Sequence, residues 1–396
     1  MMWLSCVSCG KTYKVEKGRY TCDDCGPLLG TMEVVYEYED MKLSREDFSK
    51  TGSIFQFDDL LPVKGYTPID HAVGSTPLLA FNHTPYVDRL LIKNDGVNMS
   101  GSYKDRASVI AMNMAIKQGY DTIYCASTGN AASSLALLTA HSKLKTVIFV
   151  PKSAPVGKLA QLMAAGVTLH VIDGTYDEAF DVAYQVGEKH GWYCRNSAIN
   201  PFLLEGKKTA AFEILVQNDY RVPDYCLVSV GDGTVISSLI KGFEEFVKVG
   251  LVSVVPIVIG VQAEGAATLK HVFDAGKPYQ PIQEATNTIA DSISVGNPRD
   301  VIKACQFIER NGGDLVTVTD DEIVNAIVEM TTLTGVFAEP AGAAPFAALK
   351  KLAHSGKIKF DDQVVLVVTG NGLKDTSSLK TGTIRPIGVN EALETL

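Results

Sequence analysis

Between about residue 120 and residue 370, short apolar runs alternate with segments whose apolar residues recur with the helical period. The runs are rich in β-branched and aromatic residues, which favour buried strands, and the segments between them predict helices. Such alternation produces parallel sheets covered by helices on both faces, and this many strands suit two doubly wound domains better than one barrel. The predicted strands are Thr122–Ser127, Thr146–Val150, Leu169–Ile172, Tyr193–Asn196, Tyr225–Val230, Ile257–Gln262, Leu315–Val318 and Val364–Thr369, and the predicted helices include Ala107–Gln118, Ala131–His141, Gly157–Ala165, Asp177–His190 and Val235–Phe246.

Length and charge restrict the class of protein further. A chain of 396 residues predicts two or three domains. Its 36 Lys and Arg stand against 45 Asp and Glu, a net charge of −9, so the surface is not built to neutralise a nucleic-acid backbone. The longest nearly apolar run, Val249–Val261, is shorter than the roughly 20 residues that span a bilayer, and no export signal is recognisable. We therefore expect a cytoplasmic protein that binds neither nucleic acid nor a membrane.

The cysteines divide into two sets. Cys6 and Cys9, then Cys22 and Cys25, form a doubled C-x2-C pattern. Two such turns can complete a tetrahedral shell of four thiolates with no open position, so we expect a structural zinc site. The alternatives are a reduced, metal-free knuckle or redox-active thiol pairs. The other cysteines lie in apolar, strand-like runs and are predicted to be core thiols: Cys125, Cys194, Cys226 and Cys305.

Three predicted strand-to-helix junctions concentrate Gly, Ser, Thr and Asn, at Ser127–Asn130, Val230–Thr234 and Thr369–Gly372. In parallel α/β folds, ligands bind beyond the carboxyl ends of strands, where helix N-termini present free N–H groups. The first junction suits a carboxylate, and the G-x-G of the second forms a nest for phosphate. A dinucleotide fingerprint would need a third Gly where Ile236 stands. Taken alone, the first junction is equally compatible with an N-cap and a turn. The second and third are weak evidence, and the alternative for each is a plain turn between strand and helix.

The segment Gly101–Arg106 places a lysine at the start of the predicted helix Ala107–Gln118, with Ser102 as the expected N-cap. The positive end of a helix dipole disfavours the ammonium form of Lys104. This is an unusual place for a structural lysine and a useful one for a nucleophilic amine. The alternative is a solvated surface lysine, the usual state of an isolated lysine.

Taken in chain order, these segments resemble the fold-type II pyridoxal-phosphate enzymes, and most closely the threonine synthase family. The GSYKDR segment that contains Lys104 is similar to the family's Schiff-base motif, STGNAAS to its substrate and ring loop, GDGT to its cofactor-phosphate loop, and TGNGLKD to its pyridine-nitrogen site. A short cysteine-rich ribbon also precedes many members of the family. Further matching stretches are Asn200–Ile214, Gly260–Gly265, Thr288–Pro298 and Glu339–Ala344.

The resemblance implies a role for each matched position. Lys104 would form the Schiff base with pyridoxal 5′-phosphate and act as the catalytic residue, and Asn130 would bind the ring hydroxyl. Thr369 would meet the pyridine nitrogen, and a neutral hydroxyl there, unlike a carboxylate, would not hold that nitrogen protonated. Ser127 and Thr128 would receive the substrate carboxylate. The cofactor phosphate would be held by Gly231, Asp232, Gly233, Thr234 and Val235.

Three features depart from the family pattern. The usual acidic-Asn-Pro-Thr lead into the lysine motif is replaced by the sequence Asn94–Ser100. Leu203 stands where an Arg commonly binds the substrate phosphate, and Lys207 stands where a Gln is usual. Loss of an Arg removes bidentate phosphate recognition, so we expect Lys207 or Lys208 to supply the charge that binds the substrate. The departures leave the exact substrate open, but not the cofactor.

The predicted organisation has three parts. We expect a zinc-ribbon-like segment over residues 1–35, a smaller α/β domain over residues 98–196, and a larger α/β domain formed by residues 36–97 and 197–396. The stretch from Met32 to about Gly74 is acidic and irregular, and it predicts a connector.

The expected activity is that of the threonine synthases, conversion of O-phospho-L-homoserine and water to L-threonine and phosphate, with Lys104 as the main general acid and base. The nearest alternative is another pyridoxal-phosphate enzyme of elimination or replacement, such as a serine or threonine dehydratase. A further alternative is a non-catalytic zinc-ribbon binding protein on the same scaffold, which the retention of Lys104, Asn130 and Thr369 disfavours. The resemblance also implies a homodimer.

Overall fold

Three sheets organise the part of the chain that the structure, a computed structural model, describes, which is residues 2–154 and 156–379. The strands are β1 Met2–Cys6, β2 Thr12–Tyr13, β3 Met32–Tyr36, β4 Leu78–Asn82, β5 Arg89–Asn94, β6 Thr122–Ala126, β7 Lys145–Pro151, β8 Thr168–Ile172, β9 Tyr193–Cys194, β10 Tyr225–Ser229, β11 Ile257–Ala263, β12 Asp314–Val318 and β13 Gln363–Val368. The α-helices are α1 Gly26–Leu29, α2 Lys104–Lys117, α3 Asn130–Thr139, α4 Val156–Ala164, α5 Tyr176–His190, α6 Phe202–Lys207, α7 Thr209–Gln217, α8 Thr234–Lys248, α9 Thr268–Ala275, α10 Val301–Asn311, α11 Asp320–Thr334 and α12 Pro340–His354.

The larger sheet has the strand order β12-β11-β10-β13-β5-β4. Five strands run parallel, and β4 pairs antiparallel with β5 at one edge. Every residue of β13 is buried, and its side chains alternate between two apolar clusters, with Val365 and Val367 in one and Val364 and Leu366 in the other. Helices therefore cover both faces, as the doubly wound architecture requires.

The smaller sheet, with the order β8-β7-β6-β9, is parallel throughout. All five residues of β6 are buried. Because β6 and β9 are adjacent and parallel, the segments that follow them lie side by side, and the N–H of Ala126 donates to Oδ1 of Asn196 at 3.2 Å. The predicted fold class, two doubly wound parallel-sheet domains behind a small N-terminal ribbon, is confirmed.

The N-terminal strands form an antiparallel sheet with the order β2-β1-β3. The prediction of an irregular connector from Met32 onward is wrong for its first residues, because residues 32–36 form β3, which pairs with the whole length of β1. The reason is a two-residue alternation, in which Met32, Val34 and Tyr36 are buried on one face. Short 3-10 turns follow at Arg45–Asp47, Ile54–Leu60 and Pro68–Ala72.

Other local expectations also need correction. Sequence reasoning missed β4 and β5; the apolar run of β5 is interrupted by Lys93, which is buried only because its Nζ lies 2.6 Å from a carboxylate oxygen of Glu213. Ser102 does not cap a helix, since α2 begins at Lys104 without a side-chain cap. The four predicted core cysteines are buried, but Cys305 lies in α10, not in a strand.

The predicted domain limits remain a proposal. The ribbon strands lie within residues 2–36, the smaller sheet within 122–194, and the larger sheet within 78–94 and 225–368. Residues 380–396 of the predicted larger domain lie outside the described residues. In the described part of the chain, no helix has the length and apolar character needed to cross a membrane.

Candidate active site

The carboxyl ends of both parallel sheets open into one cavity of about 650 Å³. Strands β6 and β9 of the smaller sheet and β10 and β13 of the larger sheet end at its walls. The fold thus brings together junctions that lie far apart in the sequence. The predicted site residues that line the cavity are Lys104, Ser127, Thr128, Asn130, Lys207, Gly231, Asp232, Gly233, Thr234, Val235 and Thr369.

Lys104 is the first residue of α2, where free N–H groups and the helix dipole oppose a positive charge. The preceding loop is fixed to the loop after β13, because the N–H of Tyr103 donates to the carbonyl oxygen of Thr369 at 2.9 Å. Loss of solvent lowers the pKa of Lys104, and the charge of Arg195 lowers that pKa further. A lowered pKa increases the fraction of free amine, which is the nucleophilic form.

The loop between β10 and α8 forms a cradle suited to an anion. Gly233 has φ +95°, a backbone conformation that favours glycine, and it turns the chain into α8. Thr234 and Val235 belong to the first turn of this 15-residue helix and line the cavity. Free N–H groups at such a helix start attract phosphate. We call Gly231–Val235 the phosphate cradle.

Ser229 and Thr369 place two neutral hydroxyl groups at the ends of adjacent strands. Ser229 is the last residue of β10, and Thr369 directly follows β13. Their Oγ and Oγ1 atoms are 3.3 Å apart. Hydroxyl groups can contact a ring nitrogen without a negative charge that would hold that nitrogen protonated.

Asn130 begins α3 and donates from Nδ2 to both carboxylate oxygens of Glu339, at 2.9 and 3.1 Å. Burial raises the pKa of Glu339, although the hydrogen bond from Asn130 opposes that shift. Glu339 lines the cavity, and its charge acts on Lys104. Sequence reasoning matched the EPAGAA segment without giving Glu339 a role; an acidic residue before a helix-starting proline looks like an ordinary cap.

Lys207 is fully buried at the end of α6 and lines the cavity. Its Nζ donates to Oγ1 of Thr234 at 2.5 Å, so its ammonium group lies against the phosphate cradle. Gly206 makes this position possible, because a Cβ there would lie 1.8 Å from the carbonyl oxygen of Arg106 in α2. The backbones of α2 and α6 are therefore in direct contact, which brings Lys207 close to Lys104.

Lys208 occupies a different environment from the one expected. Its Nζ is fully buried, 2.5 Å from Oε2 of Glu205 and 2.7 Å from Oε2 of Glu245. Tyr36 of β3 donates to the same Glu205 oxygen at 2.8 Å, which ties the ribbon to α6. Because Lys208 does not line the cavity and its charge is compensated by two carboxylates, the structure argues against the predicted substrate contact.

Leu203 also lies away from the cavity. Its side chain is fully buried in an apolar cluster that includes Ile110, Leu135 and Phe202. The expectation that position 203 marks the leaving-group subsite is not supported, because this side chain packs into the core.

Arg195 supplies a guanidinium group that sequence reasoning did not single out. It follows β9, is buried and lines the cavity. Its Nε and Nη2 donate to Oγ of Ser108 at 3.1 and 2.9 Å, and its Nη1 donates to Oγ of Ser197 at 3.2 Å. Ser108 lies one helical turn after Lys104 on α2, so these bonds hold the guanidinium near the amine. A lone arginine at a strand end gives no recognisable sequence signal.

The four N-terminal cysteines converge as their spacing predicts. Their Sγ atoms all lie within 4.8 Å of one another, and those of Cys9 and Cys22 are 3.8 Å apart. Sulfurs bound tetrahedrally to zinc at about 2.3 Å lie about 3.8 Å apart, so the separation fits. Burial raises the pKa of Cys22, but hydrogen bonds from Tyr13 and backbone N–H groups lower it to about 6. This favours the thiolate, the metal-binding form, at Cys22. In contrast, burial raises the pKa of Cys6, and the hydrogen bond with Cys9 raises the pKa of Cys25.

A cavity lined both by a lysine amine with a lowered pKa and by a phosphate cradle is what pyridoxal phosphate requires, since that cofactor carries an aldehyde and a phosphate. Fold and site therefore define a pyridoxal-phosphate enzyme of fold type II. The family described as "Pyridoxal-phosphate dependent enzyme" matches residues 69–370. A threonine synthase of Methanocaldococcus jannaschii is 38% identical over 397 residues, which cover 98% of this chain and 96% of that protein. A threonine synthase of Methanosarcina acetivorans is 35% identical over 96% of this chain and 94% of that protein. The chain therefore belongs to the threonine synthase family of pyridoxal-phosphate-dependent enzymes.

The solved structure of threonine deaminase isoform 2 from Solanum lycopersicum superposes with a TM-score of 0.66. The match covers 81% of this chain and 91% of that chain at 22% sequence identity. At this identity the likeness supports the fold alone.

Proposed function

We propose that this chain is a threonine synthase that converts O-phospho-L-homoserine and water to L-threonine and phosphate. One observation carries the proposal. The amine of Lys104 and the phosphate cradle share a single cavity, in a chain 38% identical to a threonine synthase over 98% of its length.

The described residues fit pyridoxal 5′-phosphate. The phosphate cradle would hold its phosphate, and Lys104 would bind its aldehyde carbon. Thr369, supported by Ser229, would meet the ring nitrogen, and Asn130 would bind the ring hydroxyl. When bound, the cofactor supplies an electron sink for the charge that develops next to the substrate's amino group.

The protein's own side chains carry out the proton transfers and hold the substrate in place. The amine of Lys104 has a lowered pKa, so it can take protons from the substrate's Cα and Cβ. Phosphate leaves from Cγ and water adds at Cβ, while protons return to Cγ and Cα. Ser127 and Thr128 would bind the substrate carboxylate at the N-terminus of α3, where the helix dipole favours an anion. These roles put the reacting carbons beside Lys104.

The leaving phosphate of the substrate needs a cation in this cavity, and we assign that role to Arg195. Its guanidinium donates hydrogen bonds to the hydroxyls of Ser108 and Ser197, and these contacts help to fix its plane. Arginine binds phosphate through two parallel hydrogen bonds when its plane is fixed. The position of Arg195 explains how a leaving group can be bound although Leu203 packs into the core.

A serine or threonine dehydratase would use the same amine and the same cradle, so a substrate panel is the test. Purified holoenzyme is given O-phospho-L-homoserine, O-phospho-L-serine, L-serine and L-threonine, and phosphate, amino acids, oxo acids and ammonia are measured. The proposal predicts L-threonine and phosphate in equal amounts from O-phospho-L-homoserine. Oxo acid and ammonia from serine or threonine, with O-phospho-L-homoserine inert, would contradict it.

Three further properties belong to the proposal. The four-cysteine site formed by Cys6, Cys9, Cys22 and Cys25 would hold one structural zinc, because its sulfur separations suit that ion. All eight cysteines are free of disulfides, which supports a reducing cytoplasm as the site of action. We also propose a homodimer, to be tested by light scattering of the purified protein.

A further inference from the structure

Among the described residues, four lysine side chains have no exposed surface. A buried ammonium group is costly unless an anion lies beside it. For three of these lysines the anion belongs to the protein itself. Their Nζ–carboxylate distances are 2.6 Å for Lys93 and Glu213, 2.5 Å for Lys208 and Glu205, and 2.6 Å for Lys241 and Glu205.

Lys207 is the fourth, and it differs from the others. No carboxylate of the described residues forms an ion pair with its Nζ, whose hydrogen bond goes to the neutral hydroxyl of Thr234 at 2.5 Å. Asp232 and Asp300 act on Lys207 only from a greater distance. Asp300 is itself paired, with one carboxylate oxygen 2.9 Å from Nζ of Lys303.

The surroundings of Lys207 make its charge still more costly. Loss of solvent lowers the pKa of Lys207 well below its ordinary value, and the charges of Lys104 and Arg195 lower it further. A lysine kept in such a place implies that an anion arrives there from outside the protein. Because Lys207 lines the cavity, a bound molecule can supply that anion.

The position of Thr234 indicates which anion this is. Thr234 is the first residue of α8 and part of the phosphate cradle. We propose that Lys207 is the counter-ion of the cofactor's phosphate group, not of the substrate's leaving group. The inference rests on the proposed function only in taking pyridoxal 5′-phosphate as the cofactor, and it moves Lys207 from the substrate role expected from sequence.

The proposal predicts effects of opposite sign in the two forms of the protein. Without cofactor, Lys207 is a buried amine with no neighbouring anion to stabilise its charged form, so Lys207→Met should leave the apoprotein as stable as wild type or more stable. With cofactor, the same change removes a charge-assisted contact and should weaken cofactor binding. Lys93→Met is the matched control, because it removes an equally buried lysine that is ion-paired with Glu213 away from the cavity.

The decisive measurement compares pyridoxal 5′-phosphate with pyridoxal, which lacks the phosphate. Full-length apoprotein is titrated with each compound, binding is followed by absorbance, and the ratio of the two dissociation constants is taken. Lys207→Met should reduce the preference for the phosphorylated compound about 10- to 100-fold, the usual effect of a lost hydrogen bond to a charged group. Affinity for pyridoxal should stay within about threefold of wild type. Lys93→Met should destabilise both forms without changing the ratio.

A second measurement covers the case in which Lys207→Met does not fold. Inorganic phosphate should raise the unfolding temperature of wild-type apoprotein, as any ligand of the native state does, and Lys207→Gln should lose most of that rise. An unchanged pyridoxal phosphate to pyridoxal ratio in Lys207→Met, or an unchanged phosphate response in Lys207→Gln, would overturn the proposal. A wild-type ratio of the two dissociation constants, together with a raised KM for O-phospho-L-homoserine, would mean that Lys207 binds the substrate and not the cofactor's phosphate. These binding assays use no substrate, so they remain informative if the protein makes no threonine.

Discussion

Replacing Leu203 with arginine tests whether the side chain at position 203 packs in the core or reaches the cavity. The resemblance to threonine synthases places a phosphate-binding Arg at this position, but the leucine is fully buried among apolar side chains. Arginine would lose about 1.5–3 kcal/mol of apolar burial and add about 1–3 kcal/mol of overpacking. An uncompensated buried charge costs several kcal/mol more. We therefore expect Leu203→Arg to lose about 5 kcal/mol or more, a large part of the roughly 5–15 kcal/mol that stabilises a native protein.

The assay is urea unfolding of the holoenzyme, followed by the absorbance of the bound cofactor and by far-ultraviolet circular dichroism. Leu203→Met is the matched control, because this swap nearly conserves volume and should cost less than about 1.5 kcal/mol. A Leu203→Arg protein that unfolds at the wild-type urea concentration and gains kcat/KM for O-phospho-L-homoserine would refute the reasoning. Such a result would mean that the side chain at position 203 reaches the cavity.

Three further predictions concern the ribbon, the α2–α6 contact and the environment of the amine. Cys22→Ser combined with Cys25→Ser should release one zinc per chain, measured by elemental analysis, while the cofactor spectrum is retained; wild-type protein purified under reducing conditions without zinc would contradict the site. Gly206→Ala places a Cβ 1.8 Å from the carbonyl oxygen of Arg106, so it should cost about 1–3 kcal/mol in urea unfolding and lower kcat by up to about 100-fold through displacement of the site. Gly129→Ala, whose added Cβ meets no atom within 4 Å, should unfold like wild type, and equal midpoints for both variants would count against this contact. Arg195→Met removes a positive charge that lowers the pKa of Lys104, so the reaction of apoprotein with pyridoxal phosphate should move to higher pH. Arg299→Met is the control, because the guanidinium of Arg299 lies over the ring of Phe180. A larger pH shift in Arg299→Met than in Arg195→Met would contradict the conclusion that Arg195 lowers the pKa of Lys104.

The strands that build the site could be predicted because they are buried on both faces. β6, β10 and β13 therefore appear as continuous β-branched and aromatic runs. β5 could not be recognised in this way, because its apolar residues are followed within the strand by Lys93, whose charge is compensated by Glu213, a residue far away in the sequence. Ion pairs of this kind form only when the fold is complete.

The site residues could be predicted where a segment must approach a ligand through its backbone or through a helix start. Lys104, Asn130 and the phosphate cradle are of this kind, and all of them line the cavity. Lys207 and Lys208 could not be told apart in sequence, because they are adjacent residues of the same type. Lys207 is the last residue of α6 and Lys208 follows it, and their side chains lie in different environments. One lies against the phosphate cradle, and the other enters a buried network with Glu205. The direction in which each side chain leaves the backbone, not the residue type, determines which lysine lies at the cavity.

The central claim is that the amine of Lys104 carries pyridoxal phosphate in this cavity. It is tested most directly by reducing the holoenzyme with sodium borohydride and mapping the modified peptide by mass spectrometry. The account predicts one pyridoxyl group per chain, on Lys104, and none in a folded Lys104→Ala protein. A pyridoxyl group on Lys374, on Lys207 or on no lysine would contradict it.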